Sequence, residues 1–458
     1  MQKGEIKVGM VTLGCPKNQC DAELMLGKIA LSGYRIVDEP GLGDVVIINT
    51  CGFIQSAKEE AIEEILEAVS RKKDGINKKI IVTGCLAERY KDEMLTEFPE
   101  IDAVVSISRN SDIASIIEEV LDGAEKPASY TAENIHIETE GERAITTLPN
   151  YAYLRIADGC SNKCSYCAIP MIRGAYKSRR KEDIVAEAQA LVKSGVTELI
   201  LVAQDVTAYG KDLYGEYILT ELLQELCAIP DLKWLRLMYC YPERLTDKLI
   251  GVIAKEPKIV KYLDIPLQHS DGDILRAMNR YGNENTLRSL IAKIRHAIPD
   301  VAIRTTLIAG FPGETEEQFT ALAEFVNDEK FEHMGCFAYS EEEGTVAATL
   351  PEQVDPEVRE HRKEVLEEQQ EIRKAEQLAP YIGGILEVVV EGFDRYSDMY
   401  FGRAAFQAPE IDGMVYFSGK KPKDGVADGK AAGSLELYTY ISVTITDIID
   451  NNLIGTAC

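Results

Sequence analysis

No stretch of this sequence approaches the roughly 18 uncharged apolar residues that a membrane-spanning helix needs, so an ordinary helical membrane protein is not expected. The N-terminus, MQKGEIKVGMVTLGCPKN, has no long apolar run and no small-residue cleavage site, which argues against a secretory signal. The expected location is the cytoplasm, with no membrane partner. Positive charge is also short: 50 Lys and Arg face 76 Asp and Glu, a net charge of −26. A protein that grips nucleic acid by its phosphates needs a basic face, so this balance favours a small substrate or a basic protein partner. Cysteine is modest at 11 in 458 residues. In a reducing compartment these thiols are not expected to form disulfides, which leaves metal, cluster and packing roles to compete for them.

What is present is an ordinary globular balance of 45% apolar and 28% charged residues, over a length that suggests two to four domains. Up to about residue 125, the apolar runs IKVGMVTLG, DVVIINT, KKIIVTG and IDAVVSI alternate with helical segments, the pattern of a parallel sheet with covered faces. Residues 126 to about 150 are polar and without clear period, and read as a linker or irregular arm. Six further strands follow: YAYLRIADG, ELILVAQDV, LKWLRLMYC, VKYLDIPLQ, AIRTTLIAG and HMGCFAYS. With helices between them they predict a partial (β/α)6 barrel. Residues 351–379 predict one or two charged helices, stopped at Pro380. The short β-branched, Gly-punctuated runs beyond predict a small antiparallel β domain. The expected class is α/β, divided at 1–140, 141–378 and 379–458.

Cys160, Cys164 and Cys167 form a CxxxCxxC loop after the first barrel strand. Thiolates are the usual ligands of iron–sulfur clusters. Three of them on a four-iron cube leave one iron open to a small molecule. A zinc site is the plain alternative, but structural zinc normally takes four protein ligands, and no fourth stands nearby. Catalytic groups of barrels gather at the carboxyl ends of strands, where this loop falls.

Cys15, Cys51 and Cys85 are far apart in sequence, yet each ends an N-terminal strand, in VTLGCPKN, INTCGF and VTGCLAE. Ligands of open α/β sheets bind beyond the carboxyl ends of strands, so these thiols should converge. Packing cysteines would fall anywhere along a strand; three at one topological position fit a second cluster better. Cys20 lies on the helix and is not expected to ligate. Cys227, Cys240, Cys336 and Cys458 read as packing or exposed thiols.

The CxxxCxxC loop with Tyr166 before its last cysteine resembles the radical S-adenosylmethionine (SAM) superfamily. An α/β domain with three cysteines before such a barrel, and a small β domain after it, is similar to the methylthiotransferases over nearly the whole chain. The resemblance implies two 4Fe–4S clusters and SAM. Cys160, Cys164 and Cys167 would hold the SAM-cleaving cluster, and Cys15, Cys51 and Cys85 the one that carries or activates sulfur. Tyr166 would lie near the adenine. Gln204 would stand by the SAM amino group, with Asp205 beside it, and Gln268 and His269 would face the ribose or substrate. Thr306, Ile308 and Gly310 resemble a GxIxG signature with Thr306 in place of its first glycine. Arg173, Lys177 and Arg304 are candidates for contact with a substrate carboxylate.

The family has a branch that modifies transfer RNA adenosine (MiaB-like) and a branch that modifies an aspartate of ribosomal small-subunit protein twelve (RimO-like). LGCPKN and VAQDVTAYG resemble the second; the first typically has Gln–Met–Asn after its first cysteine. The last domain resembles a TRAM fold, and residues 380–458 hold 11 Asp/Glu and 6 Lys/Arg, a net of −5. That charge suits a basic ribosomal protein, and RNA binding is not expected. The resemblance implies transfer of a methylthio group to the β-carbon of the target aspartate. It needs two SAM, a sulfur source and an external electron donor such as a flavodoxin-type reductant.

Overall fold

A computed structural model describes residues 3–123, 128–132, 135, 137–419 and 435–458. The N-terminal apolar runs form a six-stranded parallel sheet. Its strands are β1 (Lys7–Thr12), β2 (Arg35–Ile36), β3 (Val45–Thr50), β4 (Lys79–Gly84), β5 (Ala103–Val105) and β6 (Ala128–Tyr130), in the order β2-β1-β3-β4-β5-β6. Val45 and Ile47 face Met25 and Ile29 of helix α1 (Pro16–Leu31), while Val46 and Ile48 face Ala61 and Ile65 of helix α2 (Gln55–Lys73). Burial on both faces explains why β3 reads as an unbroken apolar run.

β6 corrects the expectation of a linker over 126–150. Ala128–Tyr130 pairs with β5, a strand too short and polar to show a period. Within that segment Lys126, Pro127, Glu133, Asn134 and His136 lie outside the described residues. Residues 137–150 form an arm without helix or strand. Arg143 ties the arm to Glu23 of α1 and to Glu187.

The six expected barrel strands are β7 (Tyr151–Arg155), β10 (Glu198–Val202), β11 (Trp234–Leu237), β12 (Ile259–Asp264), β13 (Ala302–Ala309) and β14 (His333–Ala338), parallel and in chain order. Two short strands, β8 (Ala157–Asp158) and β9 (Lys177–Ser178), pair with each other and bracket the CxxxCxxC loop. Leu199, Leu201, Leu235, Leu263, Ile303 and Leu307 pack under the outer helices. The alternate positions line the lumen, where Tyr153, Ile200, Val202 and Tyr262 cluster and Arg236, Asp264 and Arg304 also point. Residues 356–378 form one helix, Pro356–Leu378.

The last domain is a closed barrel of β15 (Ile385–Asp394), β16 (Met399–Ala404), β17 (Val415–Ser418), β18 (Tyr440–Ile449) and β19 (Asn452–Ala457). It is not wholly antiparallel: β17 and β19 run parallel. Closure removes the edges that an open sheet would expose. Residues 420–434 lie outside the described residues. Among those described, no helix is long and apolar enough to cross a membrane.

The small barrel seals the amino-terminal end of the large one through buried charge. Arg403 reaches Glu198, the first residue of β10, at 2.8 Å and Glu391 at 2.7 Å. Arg236 holds the other oxygen of Glu198 at 2.8 Å, and Asn150 donates to Glu391 at 3.0 Å. Removing one partner of such a set strands the others without counter-charge. Arg403→Ala should therefore cost about 3–5 kcal/mol, measured as earlier loss of structure in a urea titration. A surface-like cost below about 1 kcal/mol would show that the seam does not depend on this residue.

Candidate active site

The three N-terminal cysteines do converge. Cys15 follows β1, Cys51 follows β3 directly, and Cys85 follows β4 and starts helix α3 (Cys85–Arg89), so they stand at the ends of adjacent parallel strands. Gly14 permits the approach: it has φ +89°, and a Cβ there would lie 2.8 Å from the Cys51 Sγ. Asn18 ties the strand ends by donating to the carbonyls of Leu13 at 3.0 Å and Thr50 at 2.9 Å. Its Oδ1 lies 3.6 Å from the Cys85 Sγ.

The thiols differ in acidity. Burial would raise the pKa of Cys15, but the charges of Lys17 and Arg173, with the backbone N–H groups of Asn18 and Lys17, hold it below the ordinary thiol value. Cys15 is the N-cap of α1, where exposed N–H groups favour negative charge. Burial pushes Cys51 up, and pushes Cys85 up to about 12. The charges of Cys15 and Cys51 both act on Cys85, so the three form one electrostatic set.

The second set is braced by the barrel. Cys160 N donates to Gly174 O at 3.0 Å, and Ser165 N to Met278 O at 3.0 Å. Cys160 and Cys164 are buried and Cys167 half-buried. Burial pushes Cys160 up to about 11 and Cys167 up to about 12, and the charge of Cys164 adds to both. The buried guanidinium of Arg280 lies 3.9 Å from Cys164 Sγ and stacks 4.0 Å from the ring centroid of Tyr241, whose hydroxyl lies 3.6 Å from the same sulfur. Among the described residues no three Cys, His, Asp or Glu side chains close on a single metal ion. In a four-iron cube each thiolate binds a different iron, and two all-thiol sets suit that group.

Between the two sets lies a buried cluster of two arginines and two aspartates. Arg173 donates to Asp21 at 2.7 Å, Asp158 at 2.9 Å and Asn18 Oδ1 at 2.7 Å. Arg155 pairs with Asp21 and, at 2.9 Å, with Asp158. Asp158 stands two residues before Cys160, and its Oδ1 accepts from Gly159 N at 2.7 Å and Gln204 Nε2 at 3.0 Å.

Gln204 retains a buried Oε1 with no hydrogen-bond partner, an acceptor that an ammonium group would satisfy. Tyr166 is half-buried against Met278, Ile308 and Phe311. Gln268 has φ +75°, donates its N–H to Thr306 O and accepts from Ile308 N, each at 2.8 Å. Thr306 and Ile308 share the inner face of β13 with Arg304.

Several expected roles take a different form. The Cβ position of Gly310 is filled by Arg359, 2.5 Å from its Cγ, so glycine there lets the Pro356–Leu378 helix pack. His269 is fully buried, accepts from Asp271 N at 2.9 Å and lies 3.3 Å from Glu314. Asp205 is occupied by Arg244 at 2.6 Å and Asn162 at 3.0 Å. Arg173 is not a surface cation: it is buried beneath the N-terminal thiols and committed to carboxylates. Arg304 faces Asp264 within the lumen, and Lys177 is exposed on β9. Cys20, Cys227, Cys240 and Cys336 are buried in packing positions and Cys458 is exposed. The sequence reading missed Arg280, Tyr241, Lys17 and Tyr239. Arg280 closes the string PLQHSDGDILRAMNR, and nothing in that string announces its burial beside Cys164.

Residues 7–106 match uncharacterized protein family UPF0004, residues 154–326 the radical SAM superfamily and residues 382–458 the TRAM domain. Among solved structures, the radical S-adenosylmethionine methyltransferase TsrM from Kitasatospora setae, with tryptophan substrate and a SAM analogue bound, shares the fold. Its TM-score is 0.55 at 14% identity, over 85% of this chain and 79% of that one. The fold and its two thiol sets thus define a radical SAM protein with an additional N-terminal cysteine domain. Ribosomal protein uS12 methylthiotransferase RimO from Thermoanaerobacter sp. is 46% identical over 98% of this chain and 99% of its own. That of Geobacter sulfurreducens is 44% identical over 99% of both, and that of Acetivibrio thermocellus 43% over 98% of both. The chain belongs to the RimO family of radical SAM methylthiotransferases.

The thiol acidities set an order of reaction. In cluster-free protein near neutral pH, iodoacetamide should alkylate Cys15 first among the N-terminal three and Cys85 last, because only the thiolate attacks. Peptide mass spectrometry over a time course reads the order. Cys85 reacting ahead of Cys15 would contradict the electrostatics described.

Proposed function

We propose that this chain transfers a methylthio group to the β-carbon of an aspartate in ribosomal protein uS12. The observation that carries this reading is the placement of two thiol triads at the carboxyl ends of two parallel sheets, joined by one buried charge cluster. Cys160, Cys164 and Cys167 would hold one 4Fe–4S cluster and Cys15, Cys51 and Cys85 the other. When bound, these clusters and SAM supply the removal of a β-hydrogen and the delivery of methylated sulfur, so that a C–H bond is replaced by a C–S bond.

The residues around them bind, orient and neutralise. Arg280 offsets the negative charge that three thiolates concentrate beside Cys164. Gln204 Oε1 receives the SAM ammonium, while Asp158 fixes the amide from the other end. Tyr166 flanks the adenine, and Gln268, Thr306 and Ile308 present backbone and side chain along β13. Arg173 positions both thiol sets and leaves the substrate carboxylate to other residues.

The reaction requires a one-electron reductant, and a flavodoxin-type donor and an external sulfur source meet its needs. A ribosomal substrate places the enzyme in the cytoplasm. The three units divide at 1–140, 141–378 and 379–458. The net charge of −5 over residues 380–458 favours a basic protein over RNA.

Anaerobically reconstituted protein, incubated with SAM, a reductant and a peptide spanning the uS12 target, should add one methyl and one sulfur to the peptide. Cys164→Ala should abolish the gain in peptide mass. A gain on transfer RNA with none on the peptide would overturn the assignment.

A further inference from the structure

Lys17 is a buried cation whose charge acidifies Cys15 but to which the reading above gives no part in binding substrate. It is 7% exposed, on the first turn of α1 two residues after Cys15. Its Nζ lies 3.6 Å from the ring centroid of Tyr239, just past the carboxyl end of β11. The groups whose charge acts on it most are Tyr239, Cys15 and Arg173, none of them a carboxylate. Asp264 acts on it from deeper in the lumen. Its Oδ2 accepts from Tyr239 N at 2.9 Å, its Oδ1 has no hydrogen-bond partner among the described residues, and the charge of Arg304 acts on it as well. A desolvated ammonium normally finds an anionic partner; the Cys15 sulfur and the ring and hydroxyl of Tyr239 supply part of that compensation, and among the described residues no carboxylate pairs with it.

Its location defines the missing partner. Tyr239 touches Lys17 beside the N-terminal triad, and Tyr241, two residues on, touches Cys164 of the other. Lys17 therefore faces the space between the two thiol sets, where a substrate carbon must sit if one set activates it and the other supplies sulfur. In an aspartate, the side-chain carboxylate is bonded directly to that β-carbon. We infer that Lys17 is the specificity residue that receives the target aspartate's carboxylate, an inference that rests on the uS12 reading above.

The test uses reconstituted holoenzyme with SAM and two uS12 peptides, one with the target aspartate and one with asparagine in its place. Wild type should bind the aspartate peptide more tightly by on the order of 10- to 100-fold, the worth of a charge-assisted hydrogen bond. Lys17→Gln should bind both peptides alike, and Lys17→Arg should restore part of the preference. Iron and sulfide content is measured in parallel to show that both clusters are held. Retention of the aspartate preference in Lys17→Gln overturns the inference. So does loss of iron from both Lys17→Gln and Lys17→Met with the preference intact in the loaded fraction, since Lys17 would then serve the cluster. If wild type cleaves SAM but modifies neither peptide, the uS12 reading itself fails, and this inference with it.

Discussion

The architecture turns on the buried set Asp21, Arg155, Asp158 and Arg173. Two cations and two anions cancel, which lets four charges remain out of water. Each is anchored to a different part of the machinery. Asp21 lies on α1, just beyond Cys15, and Asp158 immediately precedes the CxxxCxxC loop. Arg173 ends the short helix that follows that loop, and Arg155 ends the first barrel strand. Hydrophobic contact alone would let two domains slide over one another. Directional ion pairs at 2.7–2.9 Å fix the distance and orientation between the thiol sets.

Charge also organises the opposite end of the barrel, where Glu198, Arg236, Glu391 and Arg403 join it to the C-terminal domain. Tyr151 lies level with Glu198 at that end, and Tyr153 and Tyr262 pack further along the lumen, with Arg236 over the Tyr262 ring. Paired charges hold the flanking domains in place, and the core of the large barrel lies outside the lumen, under the helices.

Much of this was legible because strands and thiol positions are local in sequence. Six barrel strands showed as six apolar runs, and the N-terminal cysteines each followed one. What escaped was set by tertiary contact. β6 borrows its hydrogen bonds from β5, and β19 is a short Gly-containing segment whose neighbours close a barrel. Arg173 read as a contact for the substrate carboxylate because nothing nearby in sequence announces Asp21, which approaches from another domain. Gly310 fitted a cofactor signature, yet the space beside it belongs to Arg359 from a helix nearly fifty residues later. Sequence spacing identified donors well and their neighbours poorly.

The loop after β11 carries Tyr239 and Tyr241 on alternate positions, one against Lys17 and the other against Cys164. A single short piece of backbone is therefore shared by both thiol sets. Any change of occupancy that moves this loop at one set is transmitted to the other as a free energy. Thermodynamic linkage requires that energy to be the same in both directions. Whatever free energy passes through this loop makes the state of each set part of the binding constant of the other.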